Sequence, residues 1–153
     1  GCEYVVGFDY DFNSINRAYK TFINSKNFLP LIFDASNPST NIGWNEKERK
    51  SFFQRANFDC VLALAFQHHL TIAKNIPLED VLSWIVALAP IGLIEFVPKN
   101  DETVQKMIKL KGDIFPNYNE ENFKEFILKK ATIVSEFQVT KSGRKIYEFE
   151  RKN

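Results

Sequence analysis

Two aspartates in this chain share a local setting. Asp9 closes the β-forming run Val5-Val-Gly7-Phe, and Asp34 closes Phe28-Leu-Pro-Leu-Ile-Phe33. A carboxylate at the carboxyl end of a strand can accept two hydrogen bonds from the vicinal hydroxyls of a ribose, which makes Asp9 a candidate nucleoside contact. By the same reasoning Asp34 can accept from an adenine amino group, with the backbone amide of Ala35 turned to the ring. Each has a plainer alternative, a helix N-cap or first-turn acid for Asp9 and an Asx turn for Asp34. Asp11 reads as the cap of the next helix. Tyr10 either lies over a base or only covers the sheet edge.

A second group follows a long apolar run. His68 and His69 stand just after Phe58-Asp-Cys-Val-Leu-Ala-Leu-Ala65, at the end of a strand, where one of them can act as a base or orient a substrate; satisfied histidines near a helix start are the competing reading. Adjacent helical positions point about 100° apart, so the pair cannot chelate a metal as an i, i+4 pair does, and no metal site is expected. Glu95 lies inside an apolar strand and needs a partner: Lys99 or a nearby arginine would make it a structural ion pair, and otherwise it faces a substrate. Trp44 and Trp84 read as packing residues, with Trp44 alternatively a lid. Lys141, Arg144 and Lys145 form a basic turn of the kind that is usually solvated.

Around these residues the chain reads as alternating strands and helices. A helix carrying Ile15, Ala18, Tyr19, Phe22 and Ile23 on one face follows Asp9. The segment from Ala35 to Asn45 is polar and broken, a loop beside a strand end. Asn45-x-x-Glu48 resembles a capping box for a short helix with Phe52 and Phe53. The run from Phe58 to Ala65 lacks alternation, which predicts a strand buried on both faces of a parallel sheet. Pro77 fits a first helical position ahead of Leu78, Val81, Leu82 and Ile85. Ile91–Val97 is a further strand, helices start near Asp101 and Asn119, and Gly112–Tyr118 is an aromatic loop between them. Thr132–Val139 and Lys145–Phe149 are joined by a turn short enough only for an antiparallel hairpin. The order is that of a mostly parallel α/β sheet, layered α/β/α and finished by one reversed strand.

Composition narrows the classes. The 153 residues fit one domain; 44% are hydrophobic, 14% are aromatic, and the formal charge is +1, which provides no field for a polyanion, so nucleic acid is not indicated. The apolar runs are too short or too broken to span a bilayer, and no membrane association is expected. Cys2 and Cys60 do not make a disulfide framework, so a reducing cytoplasm is the expected location. A single methionine, Met107, and a Gly-Cys start suggest a trimmed stretch of something longer.

Together these motifs resemble the class I S-adenosylmethionine-dependent methyltransferases, from the second strand of that Rossmann-like fold onward. Val5-Val-Gly-Phe-Asp9 resembles the acidic motif after the second strand, Phe33-Asp34-Ala35 the third-strand motif, and Asp59–Ala65 the fourth. The terminal hairpin resembles the sixth and seventh strands, which set the family apart from nicotinamide-binding enzymes. Asn37-Pro38 with Ile42-Gly-Trp-Asn45, Leu62–Leu70, and Ile94-Glu-Phe-Val-Pro-Lys99 resemble a narrower branch similar to the nodulation protein NoeA. The resemblance implies S-adenosyl-L-methionine as cofactor, held by Gly7, Asp9, Tyr10, Asp34, Ala35 and Ala65. It implies an acceptor, a small molecule or saccharide, near Asn37, Trp44 and Glu95, with His68 and His69 at the chemistry.

The family's glycine-rich loop has no counterpart, since the six glycines never occur as Gly-x-Gly. In the implied sheet order (third, second, first, fourth, fifth, seventh, sixth) the first strand would precede Gly1. The expectation is a fragment inactive by itself, whose open strand edges favour self-association. The competing reading is a nucleotide-binding or interaction module without methyl transfer, of nicotinamide or receiver type.

Overall fold

The run Val5–Asp9 forms β1 and Phe28–Ile32 forms β2, paired in parallel from Val5 opposite Phe28 to Asp9 opposite Ile32. A parallel pair needs a crossover, and α1 (Phe12–Thr21) supplies it. Asp11 caps α1 as its position suggested: its carboxylate accepts from the amides of Asn13 (3.0 Å) and Ser14 (3.1 Å) and from the Ser14 hydroxyl (2.7 Å). The Ser14 hydroxyl foremost, then the Asn13 amide, holds the Asp11 carboxyl below its usual range. The structure, a computed structural model, describes residues 2 to 152, and the chain divides into two units, Gly1–Phe52 and Phe53–Asn153.

In the first unit the expected capping box does not form. Gly43 sits at φ 90°, and Asn45 and Glu46 at φ 54° and 57° are left-handed, a conformation that cannot open an α-helix. The chain turns back instead: Ile42 and Arg49 exchange backbone hydrogen bonds at 2.9 and 3.0 Å around a 3-10 turn, Trp44–Glu46. Helix α2 starts later, at Phe52–Arg55. Its first residue, Phe52, is buried against Phe33 and Phe8, with ring centroids 4.3 and 5.9 Å away.

The second unit is a four-stranded sheet in the order β3-β4-β6-β5, formed by β3 (Cys60–Ala63), β4 (Ile91–Phe96), β5 (Ala131–Gln138) and β6 (Lys145–Arg151). β3 and β4 are parallel, and β6 runs antiparallel to both its neighbours. This is the parallel arrangement closed by a reversed hairpin strand that the sequence predicts. One expectation fails. β3 is not covered on both faces: it is an edge strand of its sheet, Cys60 is exposed, and Leu62 remains 63% exposed. Continuous hydrophobicity records what a strand is made to pack against, not what covers it within this sheet.

Helices α3 (Leu78–Leu88), α4 (Glu102–Lys111) and α5 (Glu120–Lys130) complete the unit. The stripe of Leu78, Val81, Leu82 and Ile85 is buried, each side chain contributing roughly 1.5–3 kcal/mol over leaving it in water. Pro77 precedes α3 as its cap, one position earlier than expected. Asp101 caps α4 through the Thr103 amide (3.0 Å), and Asn119 caps α5 through the Asn122 amide (2.8 Å). Gly92 is required where it stands, because a Cβ there would lie 2.5 Å from the Val61 carbonyl oxygen on β3 and 2.8 Å from the Phe149 ring on β6.

Candidate functional site

In the first unit, parallel pairing brings Asp9 and Asp34 to the same end of adjacent strands. The Phe33 amide donates to the Asp9 carbonyl at 2.9 Å, so Asp34 follows one residue beyond the last rung. Asp9 is exposed; its Oδ1 accepts from the Asp11 amide at 2.8 Å, and its Oδ2 accepts no hydrogen bond among the described residues. Such a carboxylate suits the vicinal diol of a ribose, which needs an acceptor at a strand end. Tyr10 beside it is 69% exposed.

Asp34 is half-buried and forms the Asx turn weighed above: its Oδ1 accepts from the Ser36 amide (2.9 Å) and the Ser36 hydroxyl (2.6 Å), while Ala35 is half-buried in the same turn. Asn37 is exposed and donates its amide to the Asp34 carbonyl at 3.0 Å. Gly7 has a packing reason independent of any ligand, because a Cβ there would come within 2.9 Å of the Phe28 ring. Trp44 is 82% exposed, which corrects the packing reading: the reversed loop carries it outward.

In the second unit the polar groups gather where β3 and β4 end. Ala65 turns the chain at φ 49°, left-handed for a residue with a side chain, and its amide donates to Glu95 Oε2. Glu95 is buried, and its ion-pair partner is Arg144, with Nη1 3.5 Å from Oε1; Lys99 pairs with Asp113 instead, at 2.8 Å. The arginine of the supposedly solvated basic turn also grips Asp101, Nε to Oδ2 at 2.8 Å and Nη2 to Oδ1 at 2.9 Å. That bidentate bond holds the Asp101 carboxyl down at about 2. Lys145 of the same turn bonds Glu120 at 2.7 Å.

His68 is enclosed, and burial first, then the neighbouring His69, lowers its imidazole to about 4, so it is neutral at pH 7. Its Nδ1 has no partner among the described residues. His69 is exposed, and the two rings lie 4.3 Å apart, tilted at 42°. They flank the start of a π-helical turn, His69–Ala73, closed by the Lys74 amide on the His69 carbonyl at 3.1 Å. No group of three or more potential metal ligands occurs among the described residues.

Three groups here escaped the sequence reading. Gln67 is fully buried and donates to the Tyr118 hydroxyl (2.8 Å), which donates to the Val97 carbonyl (2.6 Å); burial pushes that phenol up. Gln67 directly after an apolar run was the available signal. Asp101 and Arg144 are 43 positions apart and had none. Thr71 stands in the π-helical turn with its buried hydroxyl without a partner among the described residues.

No family model matches the chain. It is 49% identical over 152 residues to the nodulation protein NoeA of Rhizobium meliloti (strain 1021), a match covering 99% of this chain and 32% of that protein. The chain thus spans about a third of the length of that relative. The N-methyltransferase NodS from Bradyrhizobium japonicum WM9, in complex with S-adenosyl-L-homocysteine, superposes with a TM-score of 0.63 at 12% identity, covering 99% of this chain and 68% of NodS. The CurJ carbon methyltransferase superposes with a TM-score of 0.65 at 14% identity, over 98% of this chain and 42% of CurJ. At these identities the solved structures speak for the fold alone. The chain is similar to the nodulation protein NoeA and has the Rossmann-like α/β fold found in the methyltransferases NodS and CurJ.

Proposed function

We propose that this chain forms part of an S-adenosylmethionine-dependent methyl-transfer centre, with the first unit holding the nucleoside. The observation that carries the reading is Asp9, a carboxylate with an unengaged Oδ2 at the end of a parallel strand, next to the half-buried turn of Asp34 and Ala35. Asp9 accepts from the ribose hydroxyls, and Asp34 and Ala35 address the adenine edge. Tyr10 lies against the base. The shared fold with NodS, whose structure holds S-adenosyl-L-homocysteine, supports the same cofactor here.

Bound S-adenosylmethionine supplies an electrophilic methyl group, and such transfer asks the protein mainly to position and to exclude water. The acceptor in this reading is a small molecule or a saccharide. No Gly-x-Gly occurs in the 153 residues, and we infer that this chain by itself transfers no methyl group.

Amide shift mapping with S-adenosylhomocysteine at millimolar concentration tests the nucleoside assignment. Perturbations should centre on the amides from Gly7 to Asp11 and from Asp34 to Ser36. Perturbation confined to residues beyond Phe53, or none at all, would refute it.

A further inference from the structure

We propose that the cleft between the π-helical turn and the aromatic loop of the second unit binds a neutral, largely apolar small molecule that offers one hydrogen-bonding group to Thr71. The site is independent of the nucleoside edge and of the methyl transfer proposed above. The cleft has a volume of about 340 Å³, within the range of ligand pockets. Its walls include Thr71, Ile76, Leu78, Phe115, Tyr118 and Phe126, with Asn75, Glu79 and Asn117 as the other polar lining residues.

Thr71 is the reason to expect a ligand rather than a surface fold. It lines the cleft, is 4% exposed, and its hydroxyl meets no partner among the described residues. A buried hydroxyl left unsatisfied is unfavourable, so native proteins supply a partner. The hydroxyl is closed off as it stands, so a ligand engages it by rotation about χ1, which exchanges methyl and hydroxyl on the wall.

The charged and polar groups at the rim argue for neutrality. Glu79 is compensated by Lys129 at 2.9 Å, and Asn75 Oδ1 accepts from Lys111 Nζ at 3.0 Å. An anion would meet Glu79, and a cation would compete with Lys129 and Lys111. The walls are also fixed in advance, which lowers the ordering cost of binding. Lys111 ties the end of α4 to the Ala73 carbonyl (2.6 Å), Lys99 pins Asp113 at the start of the aromatic loop (2.8 Å), and Tyr118 is held by Gln67 and Val97.

The test uses three probes of one shape on the 153-residue chain: 1-naphthol, 1-methylnaphthalene and 1-naphthoate, titrated by NMR at pH 7. We expect 1-naphthol to perturb Thr71, Ile76 and the loop from Phe115 to Tyr118, and to bind about fivefold tighter than 1-methylnaphthalene, the worth of one net hydrogen bond. The carboxylate should bind more weakly than either. Thr71→Val should erase the preference for the hydroxyl while leaving 1-methylnaphthalene unchanged. Perturbations elsewhere, equal affinity for 1-naphthol and 1-methylnaphthalene, or 1-naphthoate binding as tightly as 1-naphthol would each overturn the proposal. The comparison of probes on the unaltered chain decides the matter even if the valine variant fails to fold.

Discussion

Replacing Arg144 by methionine should remove the keystone of the second unit's polar cluster. The substitution keeps an unbranched apolar stem that reaches about as far as Nε and deletes the guanidinium, leaving Asp101 and Glu95, with side chains only 7% and 9% exposed, without their cation. Taking one partner from a buried pair typically costs 3–5 kcal/mol; Arg144 itself is 24% exposed, which places the expectation near the lower end, about 3 kcal/mol at pH 7. The pH dependence gives an independent measure. Asp101 titrates at about 2 in the folded chain, against 3.8 ordinarily. A depressed carboxyl contributes stability that is present above its unfolded value and is lost as pH falls towards its folded one. At about 1.4 kcal/mol per pH step this is roughly 2.5 kcal/mol, of which about 2 kcal/mol disappears between about pH 4 and pH 2. Urea unfolding of both proteins should therefore show a gap of about 3 kcal/mol at pH 7 that narrows to about 1 kcal/mol at pH 2. A gap below about 0.5 kcal/mol at pH 7, or one that stays constant across the acid range, would refute the reasoning.

Three further outcomes follow from single contacts. His68 should titrate near 4, so its imidazole carbon shifts should stay flat from pH 8 to 5; because the unfolded chain takes up that proton first, stability falls as pH drops below about 6.5, and an NMR midpoint near 6.5 would contradict its enclosure. Gly92→Ala should cost about 3 kcal/mol in urea melts, since the added carbon meets the backbone of β3 and the Phe149 ring at once; a loss under about 1 kcal/mol would mean that β3 moves aside freely. Ala65→Gly should stabilise by about 0.5–1 kcal/mol, because relief of the left-handed φ of 49° outweighs the greater freedom of glycine in the unfolded chain; a loss above about 1 kcal/mol would show that the alanine methyl is needed.

Much of the fold was legible because it depends on local period and punctuation. The Asp11, Asp101 and Asn119 caps, the buried stripe of α3 and the antiparallel hairpin all follow from residues within a few positions of one another. What the sequence hid depends on distance or on backbone sign. The helix expected after Asn45 gives way to a reversal, because left-handed φ at Asn45 and Glu46 overrides a capping pattern. β3 reads as doubly buried yet lies at the edge of its sheet. The Glu95–Arg144–Asp101 cluster joins the end of β4, the cap of α4 and the hairpin turn, so no spacing could announce it, and it turned a basic turn into an internal cation. That Asp9 and Asp34 stand at strand ends was legible from position. The sequence could not say that Asp34 spends Oδ1 on Ser36 whereas Asp9 keeps Oδ2 open.

That open oxygen is the point on which the functional account turns. Asp9→Asn retains the acceptor that receives the Asp11 amide at 2.8 Å and replaces the other oxygen by an amide that can only donate. Calorimetric titration of S-adenosylhomocysteine into both proteins, with NAD as the comparison, should show the homocysteine compound preferred over NAD and its binding weakened about tenfold by the substitution, as expected for loss of a hydrogen bond to a charged group. Equal affinities for the two proteins, or tighter binding of NAD, would contradict the account.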